Sequence, residues 1–168
     1  LKACADSGVK RFIHASSSSV YGETEVLPKR EDLNPQPISP YAVSKLAAES
    51  YARVFYKVYG LETVCLRYFN VYGLRQAYGP YSGVITIFIN QLLNDQPPTI
   101  FGDGEQTRDF TNVQDTVEGN MLALKRKSAV GQVFNIATGA ATTINQLAKM
   151  LQEIMGKTDL KAVYASPR

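Results

Sequence analysis

An α/β fold organised on a largely parallel sheet is predicted for this chain by three observations. Short apolar runs of β character alternate with helical stretches of ten or more residues, the helical stretches carry apolar residues at three- and four-residue spacing, and glycine, proline or hydroxyl residues mark the junctions. At 168 residues and 45% hydrophobic content, the chain is long enough to bury a real core.

Residues 1–8 read as the last turns of a helix stopped by Gly8, so the chain is expected to begin inside an element and to be a fragment or processed segment. Residues 10–15 form a short apolar run that predicts a buried strand leading into the serines at 16–19. A proline-rich loop follows, to Pro40. Over residues 41–59, Val43, Leu46, Ala47, Val54, Phe55 and Val58 recur with helical spacing and Gly60 closes the stretch, which predicts a long amphipathic helix. Residues 62–69 then predict a strand, 83–94 a helix, 98–101 a strand, 113–127 a helix and 132–137 a strand. Thr143 would cap a last helix over 144–155, before an extended tail. The parallel sheet is expected through Phe69, and the rest to form a smaller α/β lobe.

Composition excludes several classes of function. The net charge of +3 arises from 18 basic and 15 acidic residues scattered along the chain, so no basic stripe predicts a nucleic-acid partner. Cys4 and Cys65 form neither a CxxC pair nor a disulfide framework, which fits a reducing compartment. No signal peptide opens the chain and no apolar run reaches the ~18 residues of a bilayer span, so a cytoplasmic protein without membrane contact is expected. His14 is the only histidine and has no ligand-type neighbour at metal spacing; a packed strand residue is expected there, and no metal site. The Gly102-Asp103-Gly104 run lacks the last glycine of a dinucleotide fingerprint and reads as a turn.

The chemistry-bearing pattern is Tyr41-Ala42-Val43-Ser44-Lys45, which puts a phenol and an ammonium four residues apart on one helix face. Tyrosine titrates near ~10 when unperturbed, and a nearby cation favours the phenolate, so such a pair can serve as a base near neutral pH. A hydroxyl to orient a substrate alcohol is available in the serine run, at the carboxyl end of a predicted strand, where open α/β sheets bind ligands. The spacing alone is equally that of an ordinary surface pair.

Three motifs in order, FIHASSSSVYG at 12–22, SPYAVSK at 39–45 and LRYFNVYG at 66–73, resemble the extended short-chain dehydrogenase/reductase family, and within it the UDP-sugar epimerases. The resemblance runs from the first residue to the last. It implies part of a Rossmann-like parallel sheet over residues 1–82 and a sugar-nucleotide-binding lobe over 83–168, with 113–137 returning to the sheet. It assigns Ser17, Tyr41 and Lys45 as catalytic: Tyr41 takes the proton of the 4-hydroxyl, Ser17 bonds the same oxygen, and Lys45 binds the nicotinamide ribose of NAD and favours the phenolate. Phe69 joins these three at the cofactor. The resemblance further places Asn70, the backbone of Gly83 and Val84, and Arg108 on the phosphates of a UDP-sugar, residues 98–101 on its uracil, and Arg168 as a second arginine; Arg75 is a weaker candidate.

Related 4,6-dehydratases carry an acid pair directly after the catalytic hydroxyl residue, and related decarboxylases keep a glutamate at the second of these positions. Here both are serine, Ser18 and Ser19, which favours epimerisation. UDP-glucose/UDP-galactose 4-epimerisation is the first expectation; UDP-glucuronate or UDP-N-acetylglucosamine epimerisation, a dehydratase or reductase, and a non-catalytic binding remnant are the alternatives. The family's Gly-rich strand, turn and helix are not in this sequence, so this chain alone is expected neither to hold NAD securely nor to turn over. The intact protein is expected to be a homodimer joined through the helix that carries Tyr41 and Lys45.

Overall fold

The computed structural model describes residues 1–24, 26–79 and 82–167. In chain order the elements are α1 (Lys2–Asp6), β1 (Arg11–Ser17), a 3-10 turn (Ser18–Tyr21), α2 (Pro40–Tyr59), β2 (Glu62–Tyr68), β3 (Asn70–Tyr72), α3 (Val84–Leu93), β4 (Thr99–Phe101), β5 (Thr107–Arg108) and β6 (Phe110–Asn112). These are followed by α4 (Val113–Lys125), a second 3-10 turn (Lys127–Ala129), β7 (Val133–Ile136), β8 (Thr142–Thr143), α5 (Ile144–Ile154) and β9 (Val163–Ala165). They make two compact units, residues 1–69 with 114–137 and residues 70–113 with 138–168. A division after residue 82 is therefore corrected to one after Phe69, because β3 pairs with β6 and so belongs to the second unit.

The first unit is a parallel sheet in the order β1-β2-β7, with β2 in the middle. Its two faces differ in chemistry. Side chains alternate along a strand, and the register sets His14 beside Cys65 and Ser16 beside Arg67. One face thus carries His14, Ser16, Thr63, Cys65 and Arg67, and α2 packs over β1 and β2. The opposite face presents Val64 and Leu66, with Ile13, Tyr68 and Ile136, to Ala123 of α4 and to Ala129. That face is an ordinary apolar core. The α2 face is held by polar bonds, including one from the Thr63 hydroxyl to the Ala52 carbonyl at 3.0 Å.

Local signals set the ends of α2. Ser39 accepts a hydrogen bond from the Ala42 N–H at 3.2 Å, Pro40 occupies the first turn, and Gly60 leaves the helix with left-handed backbone at φ 68°. At the other end of the unit, Arg11 donates to the carbonyls of Ala123 (2.9 Å), Leu124 (2.6 Å) and Arg126 (3.0 Å) while pairing with Glu62 at 2.6 Å. A guanidinium placed there satisfies the carbonyls that close α4.

Among the described residues the second unit contains three two-stranded ribbons: β3 parallel to β6, β4 parallel to β9, and β5 antiparallel to β8. Phe88 of α3, Ile100 of β4 and Ile144, Leu147 and Ala148 of α5 form its buried core. A reciprocal cap opens α5: Thr143 accepts from the Gln146 N–H at 3.0 Å and its own N–H donates to the Gln146 side chain at 2.9 Å. Thr143→Ala is expected to cost about 1 kcal/mol of stability. Urea unfolding measures it, and an unchanged midpoint would contradict the assignment. Among the described residues no helix is long and apolar enough to cross a membrane.

Candidate active site

At the carboxyl end of β1 the chain turns sharply, and the Ser17 hydroxyl accepts the Ser19 N–H at 3.2 Å as the cap of the 3-10 turn. That bond occupies an acceptor lone pair and leaves the O–H to be donated elsewhere. Tyr41 lies in the first turn of α2 and is 56% exposed. One turn on, the Lys45 ammonium sits 5.5 Å from the centroid of the Tyr41 ring and donates to the carbonyl of Ala15 at 2.9 Å. The structure therefore brings Tyr41 and Lys45 together and ties the lysine to the strand that ends in Ser17.

This donor set fits the nicotinamide ribose of NAD. An ammonium has three donors; one is spent on Ala15, and two remain for vicinal hydroxyls. Phe69 ends the first of the two segments of this unit, its N–H donating to the Ile136 carbonyl at 3.2 Å.

Beneath the pair lies a buried network that sequence reasoning missed. Glu49, one turn beyond Lys45 on α2, accepts from Arg67 Nε at 2.9 Å and Nη2 at 2.8 Å, and from the Ser16 hydroxyl at 2.5 Å. The Glu49 and Arg67 side chains are only 6% and 5% exposed. Burial opposes the Arg67 charge, but the hydrogen bonds and charge of Glu49 outweigh it, and the guanidinium is held protonated above its usual value. The Tyr21 ring lies 4.7 Å from that guanidinium, and its hydroxyl donates to Asn135 of β7 at 2.7 Å. A signal was available: Arg67 interrupts an otherwise apolar strand, and Glu49 shares the helix face of Tyr41 and Lys45.

Two other groups on the α2 face are His14, half-buried, and Cys65, buried. Burial first, and then the charge of Lys45, lowers the pKa of His14, which is therefore neutral at physiological pH. It packs within β1. Burial, reinforced by Glu49, pushes the Cys65 thiol up to about 12. The unfolded thiol ionises at 9.0, so above that pH the unfolded state loses a proton that the native state keeps. Stability should then fall with rising pH by up to about 1.4 kcal/mol per pH unit between 9 and 12. Denaturant unfolding of wild type and Cys65→Ala across that range checks this, and parallel curves would contradict it.

In the second unit, Asn70 is fixed at the start of β3: its N–H and its Nδ2 both donate to the Asp109 carbonyl, at 3.0 and 3.1 Å. The Asp109 carboxylate, also overlooked in the sequence, accepts from the Thr138 N–H (3.0 Å), the Thr138 hydroxyl (2.9 Å) and the Gly139 N–H (2.7 Å). Gly83 precedes Val84 as the N-terminal cap of α3, whose first N–H groups suit a phosphate. A groove of about 240 Å³ is lined by Asn70, Val84, Ile100, Phe101, Gln106 and Arg108. Arg108 is exposed and donates to its neighbour's carbonyl, Thr107, at 2.8 Å. Arg75, exposed with φ 67°, is not among the residues lining this groove. Arg168 lies outside the described residues.

Residues 1–137 match the NAD dependent epimerase/dehydratase family. The putative UDP-glucose 4-epimerase of Methanocaldococcus jannaschii is 42% identical over 161 residues, covering 95% of this chain and 52% of that protein. The crystal structure of the Thermotoga maritima UDP-glucose 4-epimerase with UDP-glucose superimposes with a TM-score of 0.94 at 44% identity, over 99% of this chain and 54% of that one. The Bacillus cereus UDP-glucuronic acid 4-epimerase, in complex with UDP-glucuronic acid and NAD, gives 0.89 at 41% identity, over 99% and 52%. The chain spans about half the length of the curated relatives it matches.

Proposed function

Because this chain belongs to the NAD-dependent epimerase/dehydratase family, we propose that it is the catalytic portion of a longer enzyme that epimerises a UDP-sugar at C4. The observation that carries this reading is the Tyr41–Lys45 pair, tied by the lysine to Ala15 on the strand that ends in Ser17. Ser17, Tyr41, Lys45 and Phe69 would hold the nicotinamide end of NAD. When bound, the cofactor accepts hydride from C4 and returns it.

The chain's own residues manage the proton and the oxygen. Tyr41, exposed at the start of α2, takes the 4-hydroxyl proton as the carbon–hydrogen bond breaks, and gives it back when the ketone is reduced. Ser17 donates its O–H to the same oxygen, which gains negative character as its proton leaves. Lys45 holds its ammonium 5.5 Å from the centroid of the Tyr41 ring and keeps two donors for the ribose hydroxyls of the cofactor. In the second unit, Arg108 and the N–H groups opening α3 are suited to the diphosphate, with Asn70 beside them in the groove. Arg168 is proposed as a further phosphate contact on the resemblance alone.

Ser18 and Ser19 separate this reaction from elimination. A 4,6-dehydratase needs carboxyl groups at these places to move protons at C5 and C6, and a hydroxyl of ordinary acidity cannot replace them. The Ser19 hydroxyl is buried with no hydrogen-bond partner among the described residues. UDP-glucose/UDP-galactose is the first substrate pair, supported by the Thermotoga maritima likeness; UDP-glucuronate is the second, supported by that to the Bacillus cereus enzyme.

The test is to incubate the intact protein that carries this chain with each UDP-sugar and follow the products by NMR. Interconversion of UDP-galactose and UDP-glucose without net change in NADH absorbance is expected. Accumulation of a keto sugar, or stoichiometric NADH, would overturn the reading. A homodimer is proposed for the intact enzyme, supported by Val43, Tyr51, Val54 and Val58, all exposed along α2.

A further inference from the structure

We infer that the buried Glu49–Arg67 pair is a positioning device for Tyr41 and Lys45, setting where α2 rests on the sheet. This inference rests on the catalytic reading of Tyr41 and Lys45 given above. Glu49 follows Lys45 by four residues and Tyr41 by eight, so the three share one face of α2. Its carboxylate is bound from both strands under the helix: bidentately by Arg67 of β2 and singly by Ser16 of β1, the neighbour of Ser17.

Two single hydrogen bonds also tie α2 to the sheet, Thr63 to the Ala52 carbonyl and Lys45 to the Ala15 carbonyl, but each leaves the helix free to pivot about one point, and the Glu49–Arg67 contact does not. The residues of α2 buried besides Glu49 are Ala42 and Ala52, small side chains that interlock little with the sheet. Apolar contact of that kind tolerates sliding, whereas a two-point guanidinium–carboxylate fork specifies both distance and plane. The guanidinium is itself confined by the Tyr21 ring, whose hydroxyl is anchored on Asn135 of β7. An unbroken set of directional contacts thus runs from β7 through Tyr21 and Arg67 to the helix that carries the base.

Stability alone does not account for such a pair. Replacing both members of a buried ion pair with apolar residues of similar volume is often neutral or stabilising. Retention of geometry is the remaining service, and a displacement of about 1 Å at a reacting group can lower a rate by about 100-fold.

The experiment compares wild type, Tyr41→Phe and the double variant Glu49→Leu/Arg67→Met in the intact, NAD-loaded protein, with UDP-galactose as substrate and thermal unfolding in parallel. A folded double variant is expected to lose about tenfold or more in kcat while its KM stays within about threefold, since binding is retained and only the reacting groups are misplaced. Wild-type kcat in a folded double variant would overturn the inference. If the double variant does not fold, Arg67→Lys, which keeps the charge and loses the fork, is read in the same way. Failure of both to fold would show that the pair serves the fold alone, and would also overturn it. Tyr41→Phe separates the two levels: unimpaired turnover by that variant defeats the catalytic reading, whereas a dead Tyr41→Phe beside a normal double variant defeats only the positioning role.

Discussion

Tyr41→Phe is expected to lower kcat for UDP-galactose by about 100- to 10,000-fold, the range for removing a general acid–base, and to leave the unfolding midpoint unchanged. The phenol is 56% exposed, and the Lys45 ammonium lies near its ring face, which phenylalanine keeps. Only the oxygen that carries the proton is lost. KM should move little, because the residues proposed for the diphosphate and uracil are others. Steady-state kinetics with the intact enzyme check this, and a kcat within tenfold of wild type would remove Tyr41 from the proposed chemistry.

Arg67→Met should destabilise the protein more than any other single substitution at the site, by about 3–5 kcal/mol. It leaves the Glu49 carboxylate 6% exposed with the Ser16 hydroxyl as its remaining partner and no neutralising charge. It also removes the cation from the Tyr21 ring. For a protein of this size the loss corresponds to a fall of roughly 6–20 °C in Tm. Glu49→Leu added to Arg67→Met should restore most of it, since no buried charge is then stranded. A single variant within about 1 kcal/mol of wild type would show that water reaches the carboxylate and that the pair is not buried in solution.

Legibility in the sequence follows the length of each signal. The helix over 40–59 is readable because its apolar period runs through several turns and both of its ends carry explicit stops, Ser39-Pro40 and Gly60. The strands at 11–17, 62–68 and 133–136 are readable as apolar runs. By contrast β3, β5, β6, β8 and β9 are two or three residues long, too short for any period to emerge, and they exist because a distant partner is present. A division at 82 instead of after Phe69 has the same origin: nothing in residues 70–72 announces pairing with 110–112.

The site divides in a similar way. Tyr41, Lys45 and Ser17 are legible from their motifs, whereas the pairing of Glu49 with Arg67 beneath them is announced by no spacing in the sequence. Glu49 reads as a solvated charge on an amphipathic helix, and Arg67 as part of a motif known for its neighbours. Their partnership spans 18 positions and a sheet. Asp109 likewise reads as the acid after Arg108, whereas its carboxylate gathers the Thr138–Gly139 turn 29 and 30 residues away.

The most direct test of the central claim, reversible oxidation at C4 with Tyr41 as the proton carrier, is epimerisation of UDP-galactose by the intact enzyme in D₂O, analysed by NMR. The 4-hydroxyl proton exchanges with solvent, whereas the hydrogen on C4 leaves and returns as hydride. The expected product is UDP-glucose that keeps protium at C4 and gains no carbon-bound deuterium elsewhere in the ring. Deuterium at C4, or at C3 or C5, would show that a carbon-bound proton is exchanged during turnover and would contradict it.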